Sequence, residues 1–270
     1  MSSTVVVLVN GQPASVVSVH DRGLQYGDGL FETLRYESGR LRWFDRHLAR
    51  LRQGCERLGI APPAGELLRA EAESLLGAMP RALVKIIVTR GTATARGYRP
   101  SGDERPTRIV SVYAWPPAAA AEFRAGLSAV PLGANPLLAG LKHLNRLEQV
   151  LAQRAAAGAG LDEVLMCSGG DVVCGSMSNV FVCQDAELLT PPLGDCGVEG
   201  VMRSLVMSVA PRCGLTVRVA PLSVPQLAEA PAMFVTNVRL GVQPVHWYQG
   251  RRLEVDARGA RLQELIDGTP

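Results

Sequence analysis

Short β-branched runs alternate along this chain with stretches of helical periodicity, and neither kind is long. The runs at 83–89 (Leu-Val-Lys-Ile-Ile-Val-Thr) and 108–113 (Arg-Ile-Val-Ser-Val-Tyr) read as strands. Upstream, Leu48, Leu51, Cys55 and Leu58 share one face of a helix, with Asp45 as a suitable N-cap and Gly59 as its stop. Pro62-Pro63 marks a loop, and a second helix follows over 66–76. The apolar run 5–9 ends in Asn10-Gly11, a hairpin signal. The stretch 91–106, rich in glycine, arginine and threonine, reads as a mobile loop. Trp115-Pro116-Pro117 reads as a hinge. Beyond it the sequence predicts strands at 127–132, 163–167, 180–183, 188–189, 215–219 and 233–236. Helices are predicted over 145–157, from about Gly200 and over 256–266. No internal repeat is found. The pattern predicts an α+β (α/β) fold in two subdomains, 1–115 and 125–270, joined by a linker at 116–124 and enclosing a cleft.

Composition excludes several classes. Charged residues are 20% of the 270 and the net charge is +3, with no basic run interleaved with aromatics, so nucleic acid is not an expected partner. The run 5–9 is too short for a membrane span or a signal peptide. Six cysteines include no Cys-x-x-Cys pair and the four histidines are scattered, so no metal site is expected. Reduced thiols in the cytoplasm are the default reading.

Only two lysines occur, Lys85 and Lys142, against 26 arginines (28 Lys+Arg less two). Lys142 lies in Gly140-Leu141-Lys142-His143-Leu144-Asn145-Arg146-Leu147-Glu148-Gln149, at the edge of a helix and between two leucines. On position alone it is a surface lysine; partial desolvation there would lower its pKa and make it nucleophilic, as Schiff-base chemistry requires. Lys85, inside an apolar strand, reads as structural. The turn 197–200, feeding a helix that begins Val201-Met202-Arg203, exposes backbone N–H groups suited to an anion.

The Lys142 string resembles the cofactor-lysine segment of bacterial 4-amino-4-deoxychorismate lyases. These belong to the fold-type IV pyridoxal-phosphate family, with the branched-chain and D-amino-acid aminotransferases. The resemblance runs from 19–23 to 243–245. It implies that Lys142 is catalytic and carries pyridoxal phosphate. It assigns the cofactor's phosphate to Arg50 of His47-Leu48-Ala49-Arg50-Leu51, to the amides of Val201 and Met202, and to Thr236 and Asn237. It places Asn179 on the strand that crosses the cofactor, where a plain strand-edge asparagine is the other reading. Tyr26 and Glu32, in the string 25–33, would face the substrate, although core packing also accounts for Tyr26. Arg96 in the 91–106 loop would meet a carboxylate, with Arg22, Arg99 and Arg239 as further candidates. The implied reaction converts 4-amino-4-deoxychorismate to 4-aminobenzoate and pyruvate for folate synthesis, in a cytoplasmic homodimer. The competing readings are a branched-chain or D-amino-acid aminotransferase and a weakly active cofactor-binding homologue.

One position departs from the family. Where most members have a glutamate against the pyridine nitrogen, aligning Asn179 and Phe181 puts Cys174. A neutral thiol is a weak hydrogen-bond partner and does not hold that nitrogen protonated. Elimination of pyruvate restores an aromatic ring and tolerates such a loss better than transamination does.

Overall fold

The computed structural model describes residues 6–94 and 96–269; the expected strand residue Val5 lies outside them. The chain forms two compact units, Met1–Pro117 with Leu141–Asn145, and Ala118–Gly140 with Arg146–Pro270. The segment carrying Lys142, expected in the C-terminal subdomain, therefore folds with the first unit.

The first unit is built on a six-stranded antiparallel sheet ordered Gln12–Pro13, Val6–Val9, Thr107–Ala114, Arg81–Thr89, Gly29–Glu37 and Arg40–Leu41. Asn10 and Gly11 both take positive φ (51° and 81°), the conformation a two-residue hairpin requires. Alternation along the central strands sends Leu30, Glu32, Leu34, Val84, Ile86 and Val88 to a buried face. The Phe44–Leu58 helix covers that face with Phe44, His47, Leu51, Gly54 and Cys55. Gly54 is forced by contact, since a Cβ there would stand 2.8 Å from the Leu30 side chain. The helix stops at Gly59 in the left-handed conformation, as expected, but its N-cap is Trp43, not Asp45. Trp43 and Phe44 are 3% and 4% exposed, so burying two rings fixes the start, and Asp45 falls in the first turn.

The second unit contains two sheets. One is ordered Thr216–Val219, Glu187–Thr190, Asn179–Gln184, Ala232–Asn237 and Gly241–Pro244; the other runs Leu222–Ser223, Asp171–Gly175, Glu163–Ser168, Arg124–Leu127, Trp247–Tyr248 and Arg251–Arg252. Their inner faces meet in a core that includes Phe123, Leu165, Val180, Val235 and Tyr248. The Val201–Val209 helix packs on the Ala232–Asn237 strand. The strand predicted over 127–132 is instead Arg124–Leu127. Past it, Ser128 Oγ both donates to Val130 O (3.1 Å) and accepts from Val130 N (3.0 Å), which turns the chain out of the sheet.

Candidate active site

Lys142 is placed by backbone pairing within the first unit. Phe31 N donates to Lys142 O (2.9 Å), Leu144 N to Gly29 O (3.0 Å), and Leu30 and His143 form a bridge, so this short segment extends the sheet beside the start of Gly29–Glu37. Half-buried, the Lys142 ammonium lies 4.3 Å from the centroid of the Phe31 ring. Lys85, cross-strand partner of Thr33 and so on the same face as Phe31, brings its own amine within 5.2 Å of that ring. Both lysines of the chain thus address one aromatic ring.

Behind Phe31, on the opposite face of the strand, sits a buried charged cluster. Glu32 is 1% exposed and accepts from Arg50 Nε (2.7 Å) and Arg50 Nη2 (2.5 Å). Its Oε2 also lies 2.7 Å from His47 Nδ1. Burial by itself would raise the Glu32 carboxyl; the Arg50 charge and the His47 hydrogen bond outweigh it and hold the pKa at about 2. Burial also lowers the His47 pKa, against the opposing pull of Glu32. A carboxylate only accepts, so Nδ1–H is the donor and Nε2 is left with a lone pair. That nitrogen is buried and has no partner among the described residues. The positive charges of Arg50 and, less, Lys142 add to the lowering of the His47 pKa. Glu32, expected to face a substrate, is therefore taken up inside the protein by Arg50 and His47. His47 was legible only as a letter in the string before Arg50; the partner that gives it meaning is on another element.

In the second unit, Asn179 and Thr236 are direct cross-strand partners. Asn179 Nδ2 donates to Val198 O (3.0 Å), and its Oδ1 lies 2.0 Å from where a Cβ on Gly200 would stand. Only glycine fits there, and Asn179 thereby fixes the turn from which the Val201–Val209 helix starts. No side chain caps that helix, so its first N–H groups, those of Val201 and Met202 among them, have no intrahelical partners. Thr236 is 1% exposed, and its hydroxyl is buried without a partner among the described residues. A buried unpartnered hydroxyl on a strand packed by an uncapped helix start is what a phosphate-sized anion would satisfy. Arg203, 7% exposed, adds a cation two residues into the helix, donating to Thr190 Oγ1 (3.3 Å) and Pro191 O (3.1 Å). The Asn237 side chain accepts from the amides of Arg239 (3.0 Å) and Leu240 (2.8 Å) and donates to Met177 O (3.1 Å), which shapes the turn after the strand.

Cys174 is 6% exposed in an apolar cluster with Leu132, Val164, Met166, Val173 and Cys196. Its Sγ lies 3.7 Å from where a Cβ on Gly197 would stand, under the turn that leads to the helix. Burial pushes this thiol up to about 12, with Cys196 and Glu163 adding in the same direction, so it is neutral at pH 7. Glu163 is fully buried and does not substitute for the missing acid. It accepts from the hydroxyls of Ser176 and Ser178 and the amides of Val164 and Ser176, which fixes the 175–178 turn ahead of Asn179.

Of the residues expected near a substrate, Tyr26 lies under the Arg22 guanidinium (4.9 Å) and meets Tyr98 edge-on (5.4 Å). Arg96 is exposed on the connection next to Tyr98. Arg22 is 3% exposed and already engaged, so it is not a free carboxylate binder. Among the described residues no cluster suits a metal ion, and no helix is long and apolar enough to cross a membrane.

The fold and these residues place the protein among the class IV aminotransferases: the amino-transferase class IV family matches residues 29–248, and the chain belongs to it. Within that family it is similar to the aminodeoxychorismate lyase of Vibrio harveyi, 34% identical over 265 residues and covering 96% of this chain and 97% of the relative. It also resembles the solved 4-amino-4-deoxychorismate lyase of Pseudomonas aeruginosa, with a TM-score of 0.88, 40% identity and coverage of 96% and 97%. A putative branched-chain-amino-acid aminotransferase of Methanocaldococcus jannaschii is 32% identical over 244 residues, covering 87% of this chain and 83% of the relative.

Proposed function

We propose that this chain is a pyridoxal-phosphate-dependent lyase that converts 4-amino-4-deoxychorismate to 4-aminobenzoate and pyruvate. The observation that carries the reading is Lys142. The only lysine outside the strands is pinned by backbone pairing to Gly29–Phe31, with its amine against the Phe31 ring.

The family resemblance assigns the cofactor's phosphate to Arg50 in the first unit and to the Val201 and Met202 amides and the Thr236 hydroxyl in the second. Arg50 supplies a guanidinium already oriented by Glu32, and the helix start supplies N–H donors. Bound pyridoxal phosphate supplies an electron sink conjugated to the substrate's amine-bearing carbon. Lys142 would hold the cofactor through its amine and, as a free amine, would take the proton from C4 of the substrate as general base. The C–O bond to the three-carbon ether then breaks, and Lys142 returns the proton to the departing group, which leaves as pyruvate. Atoms balance without a second substrate, and the six-membered ring gains aromaticity. Because Cys174 is neutral, this reading asks for no charged partner at the ring nitrogen.

The substrate is a dicarboxylate, and Arg96 and Lys85 are the cations offered to it. The product makes folate synthesis the pathway. We further read the protein as a homodimer, supported by exposed Leu147, Val150 and Leu151 on one face of the Leu147–Gly158 helix. Six free thiols support a reducing, cytoplasmic setting.

The test is acceptor dependence. Product should form at full rate with no keto acid present. Turnover that requires a keto acid and consumes an amino acid would replace this reading with an aminotransferase.

A further inference from the structure

The 91–106 connection, expected to be mobile, is clamped by the turn at 20–22. Arg22 N donates to Gly91 O (2.9 Å), Ala93 N to His20 O (3.1 Å), and Asp21 pairs with Thr92. The clamp extends through the Arg22 side chain. Nη1 donates to Gly97 O (3.0 Å), Nη2 to Tyr98 O (2.7 Å) and Nε to Asp28 (2.9 Å). Asp28 also accepts from Arg90 Nε (2.7 Å), while the other Arg90 nitrogens donate to Leu58 O (2.7 Å) and Gly59 O (2.8 Å). The connection is thus tied through two arginines and one aspartate to the end of the Phe44–Leu58 helix. Tyr26, beneath the Arg22 guanidinium, meets the Tyr98 ring and closes the same corner.

Buried arginines usually answer a carboxylate; here two of the three donor directions go to backbone carbonyls 75 and 76 residues away. A planar fork can hold Asp28 and two adjacent carbonyls at once, whereas a lysine cannot. The carbonyls held are those next to Arg96. We propose that Arg22 is a positioning residue: it fixes the backbone of the Arg96–Tyr98 segment and through Arg96 sets how tightly the dicarboxylate substrate is held. This rests on the reading above only through the role given to Arg96; the anchoring stands apart from it.

The experiment uses the pyridoxal-phosphate-loaded protein and the variants Arg22→Lys, Arg96→Ala and the two combined. Amide hydrogen exchange at 96–99 should rise at least about tenfold in Arg22→Lys, with strand amides of the same unit unchanged. KM for 4-amino-4-deoxychorismate should rise roughly tenfold while kcat stays within about threefold and cofactor affinity is unaltered. Adding Arg22→Lys to Arg96→Ala should bring little further increase in KM, since the two act through one contact. Unchanged exchange at 96–99 overturns the anchoring, and KM effects that multiply in the double variant overturn its route through Arg96. If Arg22→Lys fails to fold, Tyr26→Leu must loosen 96–99 in the same exchange measurement, and protection there would overturn the proposal. Wild-type protein without lyase turnover sinks the lyase reading, while the exchange result still decides the anchor.

Discussion

Glu32 and Arg50 meet across a strand and a helix through two hydrogen bonds, Nε to Oε1 at 2.7 Å and Nη2 to Oε2 at 2.5 Å, with the carboxylate buried. A residue that the sequence pointed toward the substrate is instead the internal counter-charge of Arg50. Arg50 is held in place before any ligand arrives, which lowers the conformational cost of binding one.

Glu32→Gln should therefore weaken cofactor binding more than it slows the bound enzyme. The expected rise in the dissociation constant for pyridoxal phosphate is about ten- to a hundredfold, or ~1.4–2.8 kcal/mol. Absorbance titration of apoprotein measures it. Unchanged affinity would show that Arg50 needs no such orientation.

The same carboxylate makes stability acid-sensitive. Its pKa falls from 4.5 to about 2 on folding, so its contribution is fully present above about pH 4.5 and is lost as pH drops toward 2. That contribution is on the order of 3 kcal/mol. Urea melts of wild type and Glu32→Gln between pH 7 and pH 3 should converge at the acid end; parallel curves would contradict the assignment.

Thr236 carries a buried hydroxyl with no partner among the described residues, and removing it should separate folding from binding. Thr236→Val should leave the apoprotein's melting temperature unchanged or higher, because an unmet hydrogen-bonding group is costly. Cofactor affinity should fall about tenfold, the ~1.5 kcal/mol of one hydrogen bond to a charged acceptor. A variant that binds cofactor as the wild type does would remove Thr236 from the phosphate site.

Cys174 should resist iodoacetamide at pH 8 in the native protein, given its burial and a thiol pKa near 12. Half-exposed Cys213 should be alkylated before it, as peptide mass spectrometry would show. Cys174→Glu puts a carboxylate among Leu132, Val164 and Met166 and should lower the melting temperature. Its lyase turnover should rise by less than a hundredfold, ~3 kcal/mol of barrier. A larger gain would mean that the reaction needs an acid at the ring nitrogen.

The sequence carried what depends on local chemistry. Gly59 as a helix stop, Asn10-Gly11 as a hairpin, the helix opening after Gly200 and the central strands could all be read from spacing and residue type. It did not carry contacts between distant elements. Arg22 reads as one arginine among many until Gly97 and Tyr98 fold onto it, and Glu32 reads as a cleft residue until its helix supplies Arg50 and His47. The strand predicted past Leu127 failed because a serine side chain satisfied the local backbone more cheaply than a neighbouring strand would. Lys142 stood out in the sequence by its scarcity and its flanking string, but its pairing with Gly29–Phe31 did not.

The most direct test of the account is release of 4-aminobenzoate from 4-amino-4-deoxychorismate by purified protein with pyridoxal phosphate, beside the Lys142→Ala variant. The account predicts release together with equimolar pyruvate in the wild type and none in a variant that stays folded. Near-normal release from Lys142→Ala, or none from wild type that binds the cofactor, would contradict it.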